Sequence, residues 1–192
     1  MKPDVLTRWL GAARRERVLR VLLSDYVLNG ASCAFGMFVV SAIVHLLFGA
    51  EAAANATVGV IAALAPDLVG PRRGKLVHLV VAPLIGVPLF LAVQLLRGHP
   101  VGLGLFLVPA TFLAFLGMAW GKRGAPVAIG VMLVMLFSMS TPLAASPGQA
   151  LVRTFYCGLG CALYVVYALV AHTVLNARYR TQLTADLLLA VA

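Results

Sequence analysis

The chain has 192 residues, 62% of them hydrophobic and only 11% charged, with a mean hydropathy of +1.00. A soluble domain of this length carries about 25% charged residues, so this composition excludes a water-solvated globule and points to a polytopic membrane protein. The formal net charge of +9 comes from 15 Lys and Arg against six acids. Its distribution between apolar runs, described below, excludes a nucleic-acid-binding surface.

The leader, residues 1–24, contains Lys2, Arg8, Arg14, Arg15, Arg17 and Arg20. Over Val5–Arg20, Leu6, Trp9, Leu10 and Ala13 share one helical face with arginines around it. That pattern suits an amphipathic helix lying in the membrane interface, or a solvated helical leader. Leader, core and tail divide as 1–24, 25–175 and 176–192.

A membrane-crossing helix needs about 20 predominantly apolar residues. Such runs fall at Tyr26–Phe48, Ala52–Val69, Leu76–Leu96, Val101–Trp120, Ala125–Ser140 and Gln149–Leu175, the second and fifth being short. The expected fold is therefore all-α, with six transmembrane helices behind an interfacial one. All but two of the 15 Lys and Arg then fall on one side, the exceptions being Arg97 and Arg153. The positive-inside rule puts that side, and both termini, in the cytoplasm. The basic collar sets topology and meets anionic lipid headgroups.

The first run carries Asp25, Asn29, Ser32 and Gly36 on one stripe, and the second carries Asn55, Gly59, Ala62 and Pro66. Polar and small residues at membrane depth face protein rather than lipid. With only a short link around Gly49–Ala52, the two stripes are expected to pack on each other. The third run holds Pro83, Gly86 and Pro88, a candidate hinge, because proline removes a helical hydrogen bond and crowds the preceding turn. Pro83, Gly86, Phe90 and Gln94 lie roughly on one side. The fourth run ends in Gly117-Met-Ala-Trp-Gly121, a weak small-xxx-small signal for helix contact. The fifth carries Met132, Met135 and Met139, read as core packing. The sixth aligns Cys157, Cys161, Tyr164 and His172. The tail from Asn176 reads as the start of a cytoplasmic helix that stops at Ala192 without a stop signal, as expected for part of a longer protein.

Catalytic signatures are absent: there is no HExxH, GxSxG, Walker lysine loop or CxxC. His45, His78, His99 and His172 lie in separate segments without ligand spacing, so neither a metal nor a cofactor is expected, and no enzyme activity. The three cysteines fall within spans and form no disulfide framework. What remains is a small set of ionisable residues near membrane depth, which are costly there and hence functional candidates. Asp25 opens the first span, where capping or pairing with an arginine is its ordinary role. Asp67 follows Pro66 at the cytoplasmic end of the second. Either it pairs with Arg72 or Arg73, or it titrates beside a basic substrate entrance. His78 lies one turn inside the third span, and imidazole's ordinary titration near about pH 6.5 suits proton coupling as well as packing.

The stretch Pro66-Asp-Leu-Val-Gly-Pro-Arg-Arg-Gly-Lys75, followed by Ala82-Pro83-Leu-Ile-Gly86, resembles the amino-terminal membrane domain of the fusaric acid resistance and aromatic acid exporter family. In that family a short second span ends near proline, a basic loop follows, and the next span opens with a Gly-Thr-x-x-Gly pattern. Here Ala82-Pro83 stands in place of Gly-Thr. The tail from Arg178 is similar to the point where such proteins enter a cytoplasmic helical domain. The resemblance implies proton-coupled export of aromatic carboxylates or similar small organic anions from the bacterial cytoplasm, with a periplasmic adaptor as a partner. On that reading Asp67, His78 and Asp25 are the proton-coupling candidates. Arg72, Arg73, Lys75, Asn29 and Gln94 are the substrate-binding candidates, with the first three spans lining the route and Lys122 and Arg123 adding attraction for a carboxylate. A homodimer is expected, since a six-span unit can complete a pathway by pairing. The alternative is a non-transporting inner-membrane scaffold or assembly subunit, whose small-residue stripes serve packing and oligomer contacts alone.

Overall fold

The computed structural model describes residues 25–67, 72–121 and 124–191, and within these the side chains of residues 27, 29–67, 79–121 and 124–173. The leader helix expected over Val5–Arg20 lies outside them, as do Lys122 and Arg123. The described residues form six helices and no strand: α1 (Asp25–Phe48), α2 (Ala50–Leu64), α3 (Arg72–Leu96), α4 (Pro100–Met118), α5 (Gly124–Ser140) and α6 (Pro147–Val191). Four of them, α1, α3, α4 and α6, are long and apolar enough to cross a membrane, while α2 and α5 are shorter apolar helices.

The centre of the bundle is α2. At 15 residues it is about 22 Å long, short of the roughly 30 Å hydrocarbon layer. It packs against α1, α3, α5 and most extensively α6, so neighbouring helices shelter its short ends from lipid. Its sequence, AEAAANATVGVIAAL, combines the best helix former with side chains small enough for close backbone approach. A single residue, Gly49 at φ +87°, turns the chain from α1 into α2, a conformation that favours glycine.

The predicted stripe on α2 is buried, with Asn55 at 3% and Ala62 at 0% exposure. Its partners differ from the expectation. A Cβ on Gly59 would lie 1.9 Å from the Cys157 carbonyl oxygen of α6, and one on Gly160 would lie 2.0 Å from the Ala56 oxygen. Farther along, Ala62 meets Gly130 of α5 and Gly86 of α3. The α2 stripe therefore faces α6, α5 and α3, not α1. The α1 stripe likewise turns toward α6, where Gly36 lies under the Tyr167 ring. Between α1 and α2 themselves, Ser41 and Thr57 hydroxyls bond at 2.8 Å. Two helices joined by one residue must be neighbours, but which faces meet is decided by where the closest approaches fit.

Through Pro83 and Pro88, α3 remains one helix, leaving the carbonyls four residues earlier without their usual amide donors. Phe90, Val93 and Gln94 are buried, Gly86 with them, while Pro88 is exposed. On α5, Met135 is buried but Met139 is 39% exposed, so the methionine stripe is only partly core. The α4–α5 turn explains the Gly117–Gly121 pair within the chain. Gly117 faces Ala128 of α5, a Cβ on Gly124 would strike the Gly117 carbonyl, and Gly121 takes φ +63° to make the turn.

Ser146-Pro147-Gly148-Gln149 starts α6. The Gln149 amide donates to the Ser146 hydroxyl at 3.2 Å, and the Gln149 side-chain oxygen accepts from the Ala145 amide at 2.7 Å. Ser146 thus caps the helix with proline at the first helical position, and the Gln149 side chain reaches back to the residue before the cap. From there α6 runs unbroken for 45 residues, about 67 Å, its apolar part spanning Pro147–Thr173. Span six and the tail helix are thus one continuous helix.

Candidate functional site

Asp67 lies just past the end of α2, held by its amide donating to the Leu64 carbonyl at 3.0 Å. It is 7% exposed, whereas Glu51 has 68% of its side chain exposed. Three groups from two other helices converge on it. The Tyr164 hydroxyl of α6, itself fully buried, donates to Oδ2 at 3.0 Å. The Cys33 thiol of α1 points at the same oxygen from 3.7 Å. The Asn29 amide of α1 donates to the Asp67 main-chain carbonyl at 3.0 Å and approaches the Cys33 sulfur at 3.9 Å. A buried carboxyl is tolerable only when hydrogen-bonded. This one is held where three helical segments meet.

Residues one turn away reinforce the junction. The Tyr167 hydroxyl donates to the Ser32 carbonyl at 2.9 Å and contacts the Ser32 hydroxyl at 3.2 Å. Tyr164 and Tyr167 rings stand 6.0 Å apart. The Cys161 thiol donates to the Gly59 carbonyl at 3.1 Å, so the tight α2–α6 seam runs directly into the Asp67 cluster.

Of the residues expected from the sequence, Asp67 and Asn29 are brought together. The side chains of Asp25, Arg72, Arg73, Lys75 and His78 lie outside the described residues; their backbone stands at the starts of α1 and α3. Gln94 is elsewhere, toward the opposite end of α3. There its amide donates to the Ser138 carbonyl at 3.0 Å and hydroxyl at 3.3 Å, and to the Thr141 hydroxyl at 2.5 Å. Its buried Oε1 has no hydrogen-bond partner among the described residues. Pro83 and Gly86 lie mid-helix, Gly86 against Val134 and Ala62. Sequence reasoning missed Cys33 and Tyr164 as partners of Asp67. Tyr164 was legible as part of a buried α6 stripe, but its contact with a residue 97 positions earlier was not.

A cleft of about 710 Å³ lies between α3, α4 and α5, lined by apolar residues and glycine. It does not include the Asp67 cluster.

An all-helical bundle with several apolar helices of membrane-crossing length defines a multi-pass membrane protein. The family model described as "FUSC-like inner membrane protein yccS" matches residues 84–192, more than half of the chain. The chain belongs to this FUSC-like inner-membrane family. The match covers the second half of α3 and all of α4, α5 and α6, so Tyr164 falls inside it and Asp67 outside. No curated protein and no solved structure matches the chain.

Proposed function

We propose that this chain exports small aromatic or otherwise amphipathic carboxylates across the inner membrane, driven by the proton gradient, with Asp67 as the proton-carrying group. The observation that carries the reading is the placement of Asp67: a buried carboxyl bonded across α1, the end of α2 and α6 in a member of an inner-membrane FUSC-like family. Protonation of Oδ2 would turn a charge-assisted bond from the Tyr164 hydroxyl into a weaker neutral one and loosen the junction of these elements. A carboxyl that alternates between the two states can thereby couple proton uptake to a change in helix packing.

In this reading the chain crosses the membrane six times, with both termini cytoplasmic, and its basic collar gathers the anion on that face. Arg72, Arg73 and Lys75 meet the carboxylate first. His78 and Asp25 relay protons at the same membrane face, and Pro83, Gly86 and Pro88 let α3 move. Asn29 acts through Asp67, whose carbonyl it holds. Gln94 acts at the far end of α3. A homodimer and a periplasmic adaptor complete the route.

The test is uptake of labelled benzoate into inside-out vesicles containing only this chain, with and without an imposed proton gradient. Gradient-dependent uptake above empty vesicles, abolished in Asp67→Asn, is the expected result. Absence of uptake by the folded, inserted chain would refute independent export.

A further inference from the structure

We propose that Asn55 of α2 and Gln94 of α3 hold a buried water molecule between them, at the end of the bundle opposite Asp67. The proposal stands apart from the export reading.

Register brings the two amides to one level. Where α2 and α3 cross in opposite directions, a Cβ on Gly86 would lie 3.7 Å from Ala62. One turn farther, Val58 and Phe90 share a core cluster with Val134 of α5. Asn55 lies seven residues before Ala62 and Gln94 eight after Gly86. These are about 10.5 and 12 Å along the helix axes, so the two levels differ by only about 1.5 Å. Both residues are buried, Asn55 at 3% exposure and Gln94 at 2%.

Each amide is oriented by its nitrogen. Asn55 Nδ2 donates to the Glu51 carbonyl at 2.8 Å, and Gln94 Nε2 to the Ser138 carbonyl at 3.0 Å. A main-chain carbonyl only accepts, so turning either amide over would set oxygen against oxygen. Asn55 Oδ1 and Gln94 Oε1 therefore face away from those carbonyls, and neither has a partner among the described residues. The hydroxyls of the adjoining helices have their single protons engaged. Ser138 donates to the Phe90 carbonyl, Thr141 to the Ser138 carbonyl and Thr154 to the Ala150 carbonyl. Two buried acceptors thus call for two donors that none of these side chains supplies.

Local charge decides what kind of donor fits. Arg97 reaches the same Ser138 carbonyl that Gln94 holds, at 3.4 Å. Arg153 stands at the same end, and its partner Glu51 has 68% of its side chain exposed. Two guanidinium groups against one solvated carboxylate disfavour a metal cation at this level, and a pair of amide oxygens disfavours an anion. A neutral molecule with two protons to donate satisfies both conditions. Water is the smallest such molecule, and buried waters ordinarily make about 2–4 hydrogen bonds to polar groups left otherwise unsatisfied. The α5–α6 connection covers the site at Gln94, through the Thr141 hydroxyl and the two arginines that grip Thr141 and Pro142. On the other side Val58, Phe90 and Val134 form an apolar layer, so the water is an isolated one and not part of a column reaching Asp67. With Gln94 also bonded to α5, the water ties α2, α3 and α5 at this end, as the Asp67 carboxyl joins α1, the end of α2 and α6 at the other.

Six side chains carry a primary amide: Asn29, Asn55, Gln94, Gln149, Asn176 and Gln182. With nitrogen labelled isotopically, their signals are few enough to assign by substitution. The full chain in phosphatidylcholine bilayers is measured by solid-state NMR, with magnetisation transferred from water protons to the side-chain amides. Asn55 and Gln94 should receive it about as fast as the half-buried Gln149, despite their own burial. Asn55 is the stricter reporter, because its nitrogen bonds a main-chain carbonyl that relays no exchangeable proton. Asn55→Leu should slow transfer to Gln94 at least about threefold, and Gln94→Met should do the same to Asn55, so either variant suffices if the other does not fold. Leucine exchanges a hydrated amide for apolar packing, so hydration rather than melting temperature is the readout. Slow transfer to either amide in the unsubstituted chain overturns the proposal. So does a variant that leaves transfer to the other residue unchanged, since the two oxygens then share nothing. A shift of either signal when sodium chloride replaces choline chloride at equal concentration also overturns it, because a cation then fills the site.

Discussion

Arg97, just past the end of α3, and Arg153 of α6 donate to the carbonyls of adjacent residues, Thr141 and Pro142, in the connection between α5 and α6. They are the two basic residues that the sequence reading expects on the side opposite the other 13 Lys and Arg. Both converge on one short segment. Arg97 also reaches the Ser138 carbonyl at 3.4 Å, one of the last carbonyls of α5, where a cation satisfies orphan acceptors and the helix dipole together. Arg153 adds two hydrogen bonds to Glu51 Oε1, at 3.1 and 2.9 Å, which ties the start of α2 to the same place.

This relationship sets unequal expectations for the ion pair. Arg153 is 6% exposed and also holds a backbone carbonyl, whereas the Glu51 side chain is 68% exposed. Glu51→Gln should therefore cost under about 1 kcal/mol, as exposed partners do. Arg153→Ala should cost about 2–4 kcal/mol through lost packing and charge-assisted bonds. Thermal unfolding in detergent, followed by tryptophan emission, checks the ordering; equal effects would contradict it.

At the Asp67 junction, Tyr164→Phe keeps the ring and removes one donor to the carboxyl. A hydrogen bond to a charged group contributes about 1.5–3 kcal/mol, so the variant should lose stability of that order. The loss should shrink in an Asp67→Asn background, where the acceptor is no longer a carboxylate. A double-mutant cycle measures this coupling, and additive effects would mean that the two side chains act independently.

The seam between α2 and α6 has no room for a Cβ. Gly160→Ala and Gly59→Ala should each cost about 1–3 kcal/mol or more, because the atoms met are backbone and cannot rotate away. Gly104→Ala, with nothing within 4 Å of its new carbon, should be neutral or mildly stabilising. Comparable melting temperatures for all three variants would show that the seam is looser than described.

Asn55 is buried on α2. Its amide donates to the Glu51 carbonyl within the same helix, and its Oδ1 has no partner among the described residues. Replacing it with Leu removes an unsatisfied polar atom, so stability should stay unchanged or rise, provided the slightly larger side chain fits. A loss above about 2 kcal/mol in detergent would reveal a partner for Asn55 in the membrane.

Much of the architecture was legible because hydrophobic run length and loop charge act locally. The apolar runs, the shortness of the second and fifth, the one-residue link at Gly49 and the burial of the Asn55–Gly59–Ala62 stripe all follow from residues near one another in the chain. The choice of partner for each stripe was not. Gly59 and Gly160 are 101 positions apart, and either could have met any small residue on another helix.

The candidate site divides in the same way. Asp67 and Asn29 stood out singly, since a carboxyl or amide near membrane depth is costly wherever the helix points. Their meeting with Cys33 and Tyr164 depends on helix rotation, which shape complementarity at the α2–α6 seam decides. Gln94 shows the converse: a residue chosen for its polarity belongs to the Arg97 end of α3.

From sequence alone came an all-helical membrane chain, an orientation expected from its arginines, and a resemblance carried by residues 66–86 and the tail. The composition of 192 residues leaves little alternative, because apolar runs in water or unpaired backbone in lipid cost more than any local preference returns. Tertiary structure alone decided that α2 is the centre, that Asp67 bonds to Tyr164, that Arg97 and Arg153 share one loop, and that α4 stands away from α3 to leave a cleft. Each depends on which surfaces approach most closely, and packing is a property of pairs of helices that no single segment encodes.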